Sequence, residues 1–316
     1  MKSITEVEVK DDVLCDKRLV HKRRKNEVFL SSCHSFNSKE FIAHALLHEH
    51  DYYNDHTRPL TDLMKLLECA RQAETYIVHK YEQQPLDTRF ILTEWACNFT
   101  EDFIPTIDLL NCSVILKIVT SNTRRVKGRL LSQSYDINVY QGHIPIANVY
   151  ISVKYMTDSA YSIVRKEKIK CFATKSIMVF DTATRVMPER VYRKLKDNVV
   201  VDAPVFNENR ITSKLAVNFG NEAYFDHAQD HYPAMLLMEA GKQNCQLWIY
   251  NSEAGVFPVL IDMKSNFFIF AELDKDIEII SVKVPDFSKN IMIFNVHMRQ
   301  GGVDIAEMQY SFNVID

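Results

Sequence analysis

Two long stretches of the chain carry hydrophobic residues at three- and four-residue steps, and each is followed by short segments in which apolar and polar residues partly alternate. The first stretch predicts a helix over about 61–80, with Leu63, Leu66, Leu67, Ala70, Ala73 and Ile77 forming one buried stripe. Thr61 or Asp62 would cap it, because a side-chain oxygen there satisfies free first-turn N–H groups. The second helix starts near Pro233, where a missing N–H costs little. Its opening run, Met235–Met238, is apolar on all sides, which predicts deeper enclosure. After the first helix come the strand-like segments "TRFILTEWACNF", "CSVILKIVT", "SYDINVY" and "HIPIANVYISVKYM". After the second come "SNFFIFAEL", "IEIISVKV", "NIMIFNVHM" and "VDIAEMQYSFNV", with turn signals such as "PDFSKN" and "RQGGVD" between several of them.

The pattern repeats at a constant offset of 171 residues. Asp55-His56 falls on Asp226-His227, Leu66-Leu67-Glu68 on Leu237-Met238-Glu239, Arg71 on Lys242 and Gln72 on Gln243. Upstream, "VHKRRKNEVFL" falls on "VYRKLKDNVVV". Each unit is a short strand region, one long helix, then a meander of about four antiparallel strands. A single helix wrapped by a curled antiparallel sheet is the hotdog arrangement, so the expected fold is α+β, a tandem (double) hotdog. The first repeat is placed at 1–156, with its core from about 20, and the second at 188–316. Between them lies a linker, 157–187, containing a basic patch, "RKEKIK", and a candidate extra strand, "CFATKSIMVF".

Composition narrows the function. A formal charge of −3 argues against a nucleic-acid binder held by a general basic surface, and the 47% hydrophobic and 25% charged contents are globular values. There is no run of about 18 apolar residues to span a membrane, and the polar start "MKSITEVEVKDD" has no signal-peptide core. Seven scattered cysteines without a CxxC suit free thiols in a reducing cytoplasm, the expected location.

Glu68, Arg71 and Gln72 share one helical face, as do Glu239, Lys242 and Gln243. Pairs at i+3 are ordinarily surface ion pairs. Recurrence at equal positions, after an apolar run, favours enclosure instead, where desolvation would raise a carboxylate's pKa and suit it to acid–base work. His227 and His231, just before the second helix, are candidate acid/base partners; the alternative is turn histidines that cap backbone. His44, His48, His50 and His56 lie close together, but no glutamate sits between the i, i+4 pair, so an exposed histidine loop is expected and no metal site is assigned. Cys69 is expected to pack in its helix rather than act as a nucleophile. The cluster "HKRRK" reads either as a solvated strand end or as a contact for an acidic partner.

Three blocks, "VHKRRKNEVFLSS", "ECARQAE" and "DHAQDHYPAMLLMEAGKQ", resemble the A-factor biosynthesis (AfsA-type) hotdog family, the γ-butyrolactone synthases, over about 20–316. The resemblance implies an acyltransferase for butanolide signal biosynthesis, which moves a β-ketoacyl group from acyl carrier protein to a hydroxyl of dihydroxyacetone phosphate. It implies acyl-phosphopantetheine as donor substrate, no bound cofactor, and acyl carrier protein and a small phosphorylated acceptor as partners. Since a fused pair already supplies two hotdogs, a monomer suffices, with a homodimer left open. The family's proposed site maps to Glu68, Glu239 and Lys242. Two positions depart from the family: lysine replaces arginine at 242, losing the bidentate fork, and Pro233-Ala234-Met235 replaces Pro-Gly-Met, limiting close backbone approach. The expected mechanism has Glu239 as base, backbone N–H groups of Ala234–Leu236 as oxyanion donors, and Lys242 or Arg71 on the phosphate, with Gln72 and Gln243 beside them. Lys22–Lys25 would meet the carrier protein. The alternatives are another thioester hotdog enzyme (dehydratase or thioesterase) and a non-catalytic acyl-binding module.

Overall fold

The computed structural model describes residues 14–103, 105, 108–172, 186–227, 229–285 and 290–316, with the side chains of 166–172 left aside. The first repeat runs β1 (Leu30–Ser35), β2 (Glu40–Leu46), α1 (Leu63–Lys80), β3 (Arg89–Phe99), β4 (Ser113–Val126), β5 (Arg129–Gln141) and β6 (Ile144–Met156). A helix, α2 (Asp158–Phe172), follows. The second repeat runs β7 (Val201–Asn207), β8 (Arg210–Leu215), a single turn α3 (Glu222–Phe225), α4 (Ala234–Ser252), β9 (Phe257–Phe267), β10 (Ile277–Lys283), β11 (Ile291–Gln300) and β12 (Val303–Ile315). The candidate strand "CFATKSIMVF" begins in the last turn of α2, and the rest of it, 173–180, lies outside the described residues.

The strands form one antiparallel sheet in the order β1-β2-β4-β5-β6-β3-β9-β12-β11-β10-β8-β7. The order is a palindrome of equivalent strands, so the duplication read from sequence becomes a two-fold pseudo-symmetry. Its centre is the β3–β9 pair, where Glu94 faces Asn266 and Asn98 faces Asp262. The two hotdogs thus share a sheet, and each long helix lies in the curl of its own half.

Both helices start where the caps predict. Asp62 Oδ1 accepts from the Met64 N–H at 2.9 Å, and Pro233 precedes Ala234. The stripe Leu63, Leu66, Leu67, Ala70, Ala73 and Ile77 is at most 1% exposed. The polar positions of α1 are buried too, including Lys65, Glu68, Gln72, Glu74, Thr75 and His79. One strand differs from expectation: β9 ends at Phe267, so "SNFFIFAEL" is mostly loop. Its Phe268 and Ile269 are each 54% exposed, at the rim of the cavity described next, with both amides turned to the Ile305 carbonyl of β12.

Candidate active site

The glutamines of the repeated trio staple each helix to its own first strand. Gln72 Oε1 accepts from the Phe29 N–H at 2.8 Å while Nε2 donates to the Glu27 carbonyl at 2.8 Å. Gln243 does the same with Val200 N–H, 2.8 Å, and the Asn198 carbonyl, 2.7 Å. These are equivalent positions at the 171-residue offset. Both glutamines are fully buried and neither borders a large cavity. The aspartates of the two Asp-His pairs tie the repeats together: Asp55 accepts from the Lys194 and Leu195 amides, and Asp226 from the Arg23 amide at 2.6 Å.

Here the symmetry ends. A cavity of about 1050 Å³, at the upper end of the size of ligand sites, is bordered by Glu68, Arg71 and Glu74 on α1 and by His227, His231 and the Pro233–Met235 start of α4. Glu239, Lys242, Gln72 and Gln243 are not on its wall. The ion pair at Glu68 has one face on the cavity: Arg71 forks onto both carboxylate oxygens at 2.7 and 2.8 Å, and Lys22 Nζ lies 3.1 Å from Oε1. Burial alone would raise this carboxyl, but Arg71 and Lys22 outweigh it and hold it well below the ordinary range. The expectation of a raised pKa is therefore corrected: Glu68 is a fixed anion that holds Arg71 and Lys22 at the cavity wall, with Lys22 also 3.7 Å from Glu27.

The equivalent place in the second repeat is closed. Arg193, the counterpart of Lys22, reaches Glu239 Oε1 at 2.7 Å, and Lys242 meets Oε2 at 2.6 Å, all at most 2% exposed. Burial would raise Glu239, but Arg193 and Lys242 hold it down, again opposite to expectation. A remnant of about 10 Å³ persists among His56, Leu60, Asp62 and Lys242. His56 is spent on Asp62 at 2.9 Å. Neither trio is a surface pair.

Opposite Glu68 the cavity wall carries a histidine–carboxylate dyad. His231 Nδ1 is 2.8 Å from Asp230 Oδ1. Asp230 in turn accepts from Tyr161 at 2.9 Å and Arg165 at 3.0 Å, both on α2, and Arg165 reaches Glu272 at 2.7 Å. Burial opposes ionisation of Asp230, but its bonds to His231, Tyr161 and Arg165 hold it ionised, well below the usual carboxylate range. The inter-repeat helix is thus part of the site, which its sequence did not signal. The first repeat has Pro59-Leu60 at the equivalent positions, so this dyad has no counterpart there. His227 lies on the same wall, takes a contact from Gln229 at 2.9 Å, and is kept neutral by burial. At the start of α4, the Leu236 and Leu237 amides turn back to the Pro233 carbonyl. Ala234 and Met235 have first-turn amides, which have no intrahelical acceptor.

Sequence reasoning missed Glu74, one residue past "RQA". Its carboxyl has hydroxyl neighbours rather than a direct cation: Tyr155 Oη at 2.7 Å and Thr75 Oγ1 at 3.0 Å. Burial pushes it up to about 7, despite those bonds and nearby Arg71.

Other expectations change with the fold. The four clustered histidines have separate partners or elements: His44 is in β2, His48 contacts Val28 and Glu49 carbonyls, His50 pairs with Glu27 and His56 with Asp62. His50 and His56 are buried, not exposed as expected, because they anchor the loop beneath α1. Cys69 is fully buried and its thiol pushed up by desolvation. In "HKRRK", Lys22 serves Glu68, and Arg24 pairs with Glu222.

Comparison with known proteins agrees with this architecture. A 2-oxo-3-(phosphooxy)propyl 3-oxoalkanoate synthase of Streptomyces virginiae is 23% identical over 259 residues, 82% of this chain and 84% of the relative. A protein of the same name from Streptomyces coelicolor is 24% identical over 231 residues, 71% and 69% of the two chains. Among solved structures, the 12:0-ACP thioesterase from Umbellularia californica superposes with a TM-score of 0.51 at 9% identity, over 87% of this chain and 94% of that one. The dehydratase domain from the CurJ module of curacin polyketide synthase gives 0.51 at 10% identity, over 91% and 96%. Both likenesses speak to the hotdog fold. The family model for the A-factor biosynthesis hotdog domain matches residues 9–157 and 177–316, so both repeats are covered and the chain belongs to that family.

Proposed function

We propose that this protein is an acyltransferase that moves a 3-oxoacyl group from the phosphopantetheine thioester of acyl carrier protein to a hydroxyl of dihydroxyacetone phosphate. The observation that carries this reading is convergence on one cavity: a His231–Asp230 dyad, the start of α4, and the Arg71 and Lys22 cations held by Glu68. His231, with Nδ1 turned to Asp230, takes the acceptor hydroxyl proton on its other nitrogen. The oxygen attacks the thioester carbonyl, the C–S bond breaks, and the imidazolium returns the proton to the leaving thiolate. The amides of Ala234 and Met235 receive the developing oxyanion. Arg71 and Lys22 attract the acceptor's phosphate, a role expected for Lys242 or Arg71; Lys242 is engaged with Glu239. The names of the relatives, which contain both a phosphooxy group and a 3-oxoalkanoate, support the acceptor and donor classes. Basic Arg23 at the rim and exposed Leu86, Phe268 and Ile269 suit docking of the carrier protein.

The test is incubation with 3-oxoacyl carrier protein, with and without dihydroxyacetone phosphate, followed by mass spectrometry. A phosphate-bearing acyl ester is expected, and His231→Gln should slow its formation by about 100-fold or more, the usual contribution of a positioned base. Release of free acid alone, independent of acceptor, would make the protein a thioesterase and end the proposal.

A further inference from the structure

Acyl transfer as written uses one acid–base pair, and Glu74 has no part in it. Yet Glu74 is 2% exposed, borders the cavity, and is built in with unusual care for a bystander. Behind it, Tyr155 Oη lies 2.9 Å from Tyr135 Oη, which reaches Gln133 Oε1 at 2.8 Å; Gln133 Nε2 then donates to Thr123 at 3.0 Å. On the other side, Thr75 has an alternative acceptor for its one hydrogen, the Arg71 carbonyl at 2.9 Å. Thr75 can therefore accept the acid proton of Glu74 until a ligand oxygen takes its place. Beside this polar point the cavity floor is apolar, made of the cross-strand pairs Leu92–Val153 and Trp95–Ile151, with Phe90 opposite Tyr155. A purely hydrocarbon chain would bury the Glu74 carboxyl against carbon with nothing gained, whereas an oxygen on the chain would answer it.

We propose that Glu74, backed by Tyr155 and Tyr135, is a specificity residue that donates a hydrogen bond to an oxygen carried on the acyl chain, so that the cavity selects oxo- or hydroxyacyl groups over plain alkyl ones. The inference rests on reading the cavity as an acyl-thioester site and adds the residue that discriminates among acyl chains.

The experiment measures binding, not turnover. Non-hydrolysable acyl-pantetheine analogues bearing a 3-oxo chain, a 3-hydroxy chain or an unsubstituted chain of equal length are titrated into the full protein by calorimetry. The wild type should prefer the oxygenated chains by about tenfold, the size of one net hydrogen bond gained in a buried site. Glu74→Leu should bring that ratio close to one. Glu74→Gln, which keeps a donor, should retain most of it, and Tyr155→Phe, which keeps the ring, should lower it. Circular dichroism confirms that each variant is folded. A wild type without preference, or a Glu74→Leu protein with the ratio intact, would overturn the proposal. Failure of the transferase reading looks different, since the binding ratio would stand while no ester forms from any donor.

Discussion

Replacing Glu239 by glutamine separates an ion pair that holds the fold from one that faces a ligand. Glu239 is fully buried, accepts from Arg193 and Gln243 on Oε1, both at 2.7 Å, and forms an ion pair with Lys242 through Oε2 at 2.6 Å. An amide can still accept on one side, but its –NH₂ would then face the Lys242 ammonium, donor against donor. Two buried cations would also lose their nearest anion, leaving Asp62 as the remaining neighbour of opposite sign. Breaking a buried pair in this way costs about 3–5 kcal/mol. With an unfolding entropy of about 2.1 cal/mol/K per residue over 316 residues, the melting temperature should fall by about 5–8 °C. Below that midpoint the activity per folded molecule should stay within about twofold of wild type, because no atom of Glu239 borders the cavity. Glu68→Gln should do the reverse, lowering activity far more than stability, since its Arg71 partner is 22% exposed and partly solvated. Thermal melts by calorimetry and ester formation at 20 °C measure both. An unchanged melting temperature for Glu239→Gln together with lost activity would refute the division of labour between the two repeats.

Glu74 should also register in the pH dependence of stability. Its pKa rises on folding from an ordinary 4.5 to about 7, so the folded state binds the extra proton, and stability present below pH 4.5 is lost as pH climbs through 7. The loss is on the order of 3 kcal/mol at 1.36 kcal/mol per unit; Glu74→Gln should remove this component, so urea melts of the two proteins at pH 5 and 8 should diverge by about that amount, and parallel curves would disprove a neutral Glu74. Gly241→Ala should be destabilising although the first repeat carries Ala70 there: an added Cβ would stand 2.7 Å from Tyr310 Oη and 3.0 Å from its ring. Tyr310 is fully buried and donates to the Met238 carbonyl at 2.7 Å, so overpacking of about 1–3 kcal/mol is expected; a Gly241→Ala, Tyr310→Phe double variant, freed of the hydroxyl, should recover part of it in the same melts.

Much of the fold was legible because the signals are local. Helical spacing marked the first long helix to within two residues and the start of the second, Asp62 and Pro233 announced their starts, and β-rich segments gave seven of the eight meander strands. The eighth failed at Phe268–Phe270 because an apolar run reads as a strand whether it pairs with a neighbour or lines the rim of a cavity. The staple made by Gln72 and Gln243 was visible only as a repeat. Its role depends on the backbone of Phe29 and Val200, more than forty residues away in each case. Glu74 carried no signal because a lone glutamate on a helix is ordinary, and its proton depends on Tyr155 and Thr75 around it. Arg165 and Tyr161 were hidden for the same reason: α2 looks like a basic linker until it meets Asp230.

By itself the sequence determined that there are two hotdogs, where their two long helices begin, and which family motifs they bear, since helix periodicity and a 171-residue offset are properties of the chain alone. It could not decide which of two nearly identical Glu–cation–Gln trios faces a ligand. Tertiary structure decided that, through residues remote from either trio. In the second repeat Arg193 occupies the space before Glu239, and Leu60 of the first repeat lines the small remnant beside Lys242. In the first repeat the smaller head group of Lys22, 3.1 Å from Glu68, with His231 in place of a leucine, leaves the carboxylate beside an open cavity. The trios share their local geometry, and they are set apart by the cation that each repeat supplies upstream of its own helix, Lys22 or Arg193, and by the opposite repeat's His231 or Leu60.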